Sequence, residues 1–201
     1  GAVLGRCPWG GARHTGTGPT LRDWQNLARL LPEARRRHLL PDEELNDLER
    51  ATQRELLSLP LPAGALDILH QAWSGMSESA RQHPDMIGVY AQQLINQNAM
   101  DECTSLLTTA LERQWDERLV LLYGEARDAQ PAVQLETAEE WLARHGESPT
   151  LLLTLGRLAR RNRLTDRARS YLEKSLALGA SAAAHAELGT LFEEAGDSAR
   201  A

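Results

Sequence analysis

Pro149-Thr-Leu-Leu-Leu-Thr-Leu-Gly156-Arg-Leu-Ala-Arg-Arg161-Asn-Arg-Leu-Thr-Asp-Arg-Ala168 is the stretch whose reading decides the fold. Proline opens it where a helix tolerates a missing N–H. Leu151, Leu152, Leu155 and Leu158 then recur at the i, i+3, i+4 spacing of one helical face. The pattern breaks near Arg163 and a second helix follows. Gly156 in the middle of the first helix and Ala168 in the second are twelve positions apart. Two small side chains so placed let an antiparallel pair of helices approach closely. The motif recurs outward along the chain. Tyr90-Ala91, Tyr123-Gly124, Leu155-Gly156 and Leu188-Gly189 place their small residues 33, 32 and 33 positions apart. Cys103 follows Ala91 as Ala168 follows Gly156, and Ala201 follows Gly189 in the same way. Ala138 comes two positions late after Gly124, which implies a small insertion around Pro131.

A unit of two helices cannot hide its apolar face alone, so such units stack. The spacing predicts close crossings within each pair at Ala91, Gly124, Gly156 and Gly189. Gly156→Leu is expected to overpack one of them, at a cost on the order of 1–3 kcal/mol or more.

Prolines and glycines punctuate the rest. A helix from Leu21 is predicted to end before Pro32, and one opening at Pro41-Asp-Glu-Glu to reach about Ser58. Pro60-Leu-Pro62 reads as a connector to a helix over 63–82. Seven further helices follow Pro84, with breaks near Asn98, Gln114, 128–131, 146–149, Arg163, Gly179 and Gly196. Nothing alternates with period two, so the chain reads as all-α. Residues 1–20, with six glycines, read as an irregular arm, altered or non-native. Residues 21–201 read as one helical-repeat domain whose last repeat is incomplete.

Composition narrows the function classes. The 201 residues are 42% apolar with a formal charge of −6, which describes a core-forming chain and opposes counterion-driven nucleic-acid binding. The longest apolar run, Leu119–Tyr123, falls far short of the roughly 18 residues a membrane span needs. Cys7 and Cys103 form no C-x-x-C, and the six histidines include no i, i+4 pair, so no metal site is expected. Nucleophile-elbow, phosphate-loop and zinc-protease motifs are absent, and the carboxylate clusters lie on solvated helix faces, so no catalytic residue is assigned.

The small-residue spacing and pair length resemble tetratricopeptide repeats, which implies a right-handed solenoid of antiparallel helix pairs. From Arg22 to Ala201 the chain further resembles the C-terminal region of HemY-type proteobacterial proteins. The matching stretches are Asp23-Trp-Gln-Asn-Leu-Ala-Arg-Leu-Leu-Pro32, Glu112-Arg-Gln-Trp-Asp116, Leu122-Tyr-Gly124, Gln134-Leu-Glu-Thr-Ala-Glu-Glu-Trp-Leu142, and Leu155-Gly-Arg-Leu-Ala-Arg-Arg-Asn162 with Ala168-Arg-Ser-Tyr-Leu172. The resemblance implies a repeat domain of an inner-membrane protein tied to haem biosynthesis. It reads as a non-enzymatic scaffold for protein partners such as enzymes of that pathway, the cytoplasmic side being favoured. A haem or porphyrin carrier and a homo-oligomerisation module are the alternatives. No cofactor is assigned, although Cys7-Pro8 could present a thiolate to haem.

The first helix of each pair lines the groove of such a solenoid. In this phase the groove carries Gln92 and Asn96, then Glu125 and Asp128, then Arg157, Arg160 and Arg161, and finally Glu193 and Glu194. Three convergent arginines suit an anionic partner group through charge-assisted forks, or else pair with acids of adjacent helices. Charge reversal at Arg157 and Arg161 is expected to spare helicity and abolish partner capture.

Overall fold

The computed structural model describes residues 21–179, 181–194 and 196, and eleven helices and no strand occur among them. The chain divides into two compact units at the Leu56–Leu57 bond, inside the stretch read from sequence as one domain. The irregular arm, Cys7-Pro8 and Ala201 lie outside the described residues.

The first unit holds α1 (Leu21–Arg36) and most of α2 (Asp42–Leu57). Contrary to the predicted stop, α1 runs through Pro32. Proline there forfeits one backbone hydrogen bond near the helix end. The extra turn carries Arg35 to α2, where Nη2 donates to Asn46 Oδ1 at 2.6 Å and to Glu49 Oε2 at 2.9 Å.

In the second unit the single helix expected over 63–82 is broken into α3 (Leu66–Ser74) and α4 (Glu78–Arg81). Gly75 closes α3 with its N–H on Gln71 O, and the Ser77 hydroxyl accepts from Ala80 N–H to start α4. Seven helices follow: α5 (Pro84–Asn96), α6 (Met100–Arg113), α7 (Glu117–Glu125), α8 (Pro131–His145), α9 (Pro149–Arg161), α10 (Thr165–Leu178) and α11 (Ala182–Glu194). Their ends fall where proline, glycine and N-cap side chains predict; His83, Asp116 and Ser148 each cap the helix that follows.

Two turns of the backbone share one geometry. Asn98 and Arg163, 65 positions apart, both take a left-handed φ of 60°. Around them Ala99 N–H bonds Leu94 O and Leu164 N–H bonds Ala159 O, both at 2.9 Å, the same 6→1 closure of a helix end. Asparagine tolerates this conformation, whereas arginine is strained by about 1–2 kcal/mol. Arg163→Gly is therefore expected to raise the melting temperature, because glycine removes that strain at an exposed turn; thermal melts of the two proteins check it.

Helix contacts follow one order. Odd-numbered helices pack in succession, α5 on α7, α7 on α9 and α9 on α11. Each of α6, α8 and α10 packs on the odd-numbered helix that follows it, α6 on α7, α8 on α9 and α10 on α11. Surrounded by α7, α8, α10 and α11, α9 buries Leu151, Leu152, Leu153, Leu155 and Leu158. Each fully buried leucine contributes about 1.5–3 kcal/mol of transfer free energy, which makes α9 the axis of the unit. The pair α7–α8 departs from its neighbours. At 9 residues α7 is a turn shorter than the 13 of α5, α9 and α11, and α8 meets it through the Trp141 ring, set edge-on to Tyr123 at 4.6 Å, and through Gln134, whose Nε2 donates to Tyr123 O at 2.8 Å.

Candidate functional site

The polar residues of the odd-numbered helices form the site that the sequence points to. Gln92 is half-buried and Asn96 exposed at the end of α5, with Gln92 Nε2 donating to Asn96 Oδ1 at 3.4 Å. The three arginines of α9 are half-buried, because the rest of that helix is enclosed. Arg157 Nε donates to Glu187 Oε1 on α11 at 2.8 Å, and its Nη1 lies 3.7 Å from Glu125 of α7. Arg160 reaches Glu194 at 2.6 Å and Glu187 at 3.1 Å. The acids at 125, 187 and 194 thus alternate with arginines across three helices. A network this dense, partly shielded from water, is worth more than an exposed pair.

Arg161 does something the sequence reading missed. Its guanidinium donates to three backbone carbonyls at the end of α7: Gly124 at 2.5 Å, Ala126 at 2.6 Å and Glu125 at 3.3 Å. A helix leaves its last four carbonyls without partners. In α7 the Leu122 carbonyl accepts from Ala126 N–H, and that of Tyr123 from Gln134 Nε2 at 2.8 Å. Arg161 satisfies the remaining two. The missing turn of α7 is therefore replaced by a side chain from the next pair. Burial first, and then the fields of Arg127, Arg157 and Arg160, lower the Arg161 pKa to about 10, still well above neutrality. The expectation that Arg161 could be reversed without structural loss is corrected: a glutamate there would oppose three carbonyl oxygens with negative charge.

The small residues fall into three situations. Ala91 is buried at the α5–α6 crossing, where Cys103 Sγ lies 3.5 Å from the Ala91 carbonyl. Gly156 sits within 2.6 Å, measured from where a Cβ would stand, of Leu172 on α10, with Ala168 carbonyl oxygen at 3.6 Å. The crossing expected at Gly124 within its own pair is corrected: a Cβ there would lie 2.9 Å from Thr154 of α9, because α9 packs directly on the shortened α7. Among the described residues nothing lies within 4 Å of a Cβ at Gly189.

Asp128 is drawn away from the odd-helix face: it accepts from Thr104 Oγ1 on α6 at 2.5 Å and from Gln130 N–H at 2.8 Å. Glu193 and Glu194 are exposed at the end of α11. Burial, with a smaller push from Glu102, raises the Cys103 pKa to about 12, so the thiol stays protonated at neutral pH. In a Cys7→Ser background, a colorimetric thiol reagent at pH 8 is expected to stay colourless until denaturant unfolds the chain. Immediate reaction would show that the α5–α6 crossing opens readily.

Among the described residues, no group of three or more His, Cys, Asp or Glu is placed to hold a metal, and no helix is long and apolar enough to cross a membrane. No protein-family model matches the chain, and no similar curated protein or solved structure was found.

Proposed function

We propose that residues 84–194 form a tetratricopeptide-like, right-handed solenoid of antiparallel helix pairs that serves as a non-enzymatic protein–protein interaction scaffold. The observation that carries this reading is the recurrence, 65 positions apart, of one turn geometry at Asn98 and Arg163, together with the odd-on-odd packing order. Stacked pairs of this kind present a continuous face of first helices, and that face here bears Gln92, Asn96, Glu125, Arg157, Arg160 and Glu194. Arg157 and Arg160 are engaged with acids of the chain itself. A partner carboxylate would enter by exchange with Glu187 or Glu194, which favours acidic segments and weakens as salt rises. Through the HemY-type resemblance, the partners would be proteins of haem biosynthesis at a bacterial inner membrane.

A photo-reactive phenylalanine analogue placed at exposed Asn96 or Glu194, and for comparison at exposed Glu173 on α10, tests the face directly in native membranes. The same adducts are expected from the first two positions and not from the third, with yields that fall as salt rises. Adducts formed only through Glu173 would place binding on the even-numbered helices and refute the proposed face.

A further inference from the structure

Between α6, α7 and α8 lies a pocket of about 370 Å³ that no part of the proposed interaction face uses. Its existence follows from register. With Cys103, Ala138 and Ala168 aligned as the small residues of the second helices, the position after each is Thr104, Glu139 and Arg169. The position before each is Glu102, Thr137 and Arg167. In the seam between α8 and α10 these positions meet as an ion pair of Arg167 with Glu139, and the Tyr171 hydroxyl also donates to Glu139 at 3.0 Å. In the seam between α6 and α8 the corresponding residues are Thr104 and Thr137. Neither is long enough to span the gap, and both line the pocket.

The chemistry of the lining is one-sided. Thr109 donates its hydroxyl proton to Ser105 O at 2.9 Å, Thr137 to Val133 O at 3.0 Å, and Tyr123 to Gln134 O at 3.4 Å. Thr104 has its single proton drawn to Asp128 at 2.5 Å or to the carbonyls of Met100 and Asp101. With those protons committed, these four hydroxyl oxygens offer lone pairs to a ligand, and the Ser105 and Thr108 hydroxyls can turn theirs toward it as well. Asp101 and Asp128 add carboxylates, and none of the lining residues is basic. A site of acceptors and negative charge selects donors and positive charge. The volume falls in the range of small-ligand sites, about 300–1,000 Å³.

We propose that this pocket binds an organic cation bearing a guanidinium or primary ammonium group, which stands where the Arg167 guanidinium stands one repeat further on. Asp101 and Asp128 supply the countercharge, and the threonine oxygens accept the remaining N–H bonds. Charge-assisted bonds of this type are about twice as strong as neutral ones. The inference rests on the helix register and the lining of the pocket, and holds whether or not the odd-helix face binds a protein.

Two probes carry the same chemistry from different sources: agmatine as a free metabolite-like cation, and N-acetylarginine amide as an arginine side chain of a polypeptide. Each is titrated into the full chain, and backbone amide shifts are followed by nitrogen-resolved NMR. Saturable shifts are expected at Thr104, Thr108 and Thr137, and the tighter-binding probe identifies the source. The Asp101→Asn, Asp128→Asn double variant should weaken binding by about tenfold or more, which is 1.4 kcal/mol. Asparagine at 128 keeps an oxygen to accept Gln130 N–H. Thr137→Arg, which installs the residue found in the next seam, should abolish binding and raise the melting temperature by filling the pocket with an internal guanidinium. Absence of saturable shifts with both probes, equal shifts with succinate, or binding unchanged by Thr137→Arg would overturn the proposal.

Discussion

Replacing Gly156 by leucine is expected to be among the most damaging single changes in this protein. A Cβ alone at that position would lie 2.6 Å from both Cγ and Cδ2 of Leu172, closer than real Cβ contacts come. Leu172 is wholly buried in the same core, so it has nowhere to swing. Overpacking of a closed core costs about 1–3 kcal/mol for a few added atoms. A whole isobutyl group at a helix crossing belongs at or beyond the top of that range. At about 2–4 °C per kcal/mol for a chain of this size, the melting temperature should fall by roughly 6–12 °C. The glycine series gives the claim its internal control. Gly124→Ala meets Thr154 Oγ1 at 2.9 Å and should destabilise less, because it adds one methyl group where Gly156→Leu adds a whole isobutyl group. Gly189→Ala meets no described residue within 4 Å and should stabilise by about 0.5–1 kcal/mol through reduced chain entropy in the unfolded state. Thermal melts that rank the three in any other order would show that the helix crossings lie elsewhere.

Arg161→Met is the second large effect. Methionine keeps much of the aliphatic stem but removes the guanidinium that holds the Gly124, Glu125 and Ala126 carbonyls. Hydrogen bonds from a charged donor contribute about 1.5–3 kcal/mol each in favourable cases, and an unmet buried carbonyl costs about 1–3 kcal/mol. Water re-solvating the freed helix end and relief of the arginine's own burial offset part of this, which leaves an expected loss of about 2–4 kcal/mol. The loss should be local first. Amides from Leu121 to Asp128 should exchange faster in Arg161→Met than in the parent, before any change in α5. Arg161→Lys should rescue only partly, since one ammonium cannot span three carbonyls as a planar fork does. Unchanged exchange at the end of α7 in the methionine variant would show that this helix does not depend on its neighbour's arginine.

Much of the second unit was legible from local signals. Pro84, Pro149 and Gly179 mark helix boundaries by what they forbid, and the recurrence of small side chains set Gly156 against Ala168, where the closer neighbour across the crossing is Leu172. What the sequence concealed depends on partners far away in the chain. Pro32 looks like a stop, but three hydrogen-bonding groups on two helices make continuing to Arg36 worthwhile. Gly75 interrupts an apolar stretch whose composition alone reads as one helix. Arg161 lies 35 positions from the carbonyl of Ala126, and nothing in its immediate neighbours distinguishes it from Arg160, which forms ion pairs with acids of α11. The one available signal was the insertion around Pro131, which implies a displaced second helix and hence an exposed end on the first. The same insertion, read together with threonine at positions 104 and 137, is the only sequence trace of the pocket between α6 and α8.

Hydrogen exchange on a chain ending after Gly179 tests the stacked-pair claim most directly. In a stack, each pair is stabilised by its neighbours alone, so loss of α11 removes contacts only from α9 and α10. The expected result is faster exchange throughout α9 and α10, with the amides of α5 and α6 as protected as in the parent. A uniform loss of protection from α5 to α10 would instead mark one indivisible core, and would contradict a protein built from stacked helix pairs.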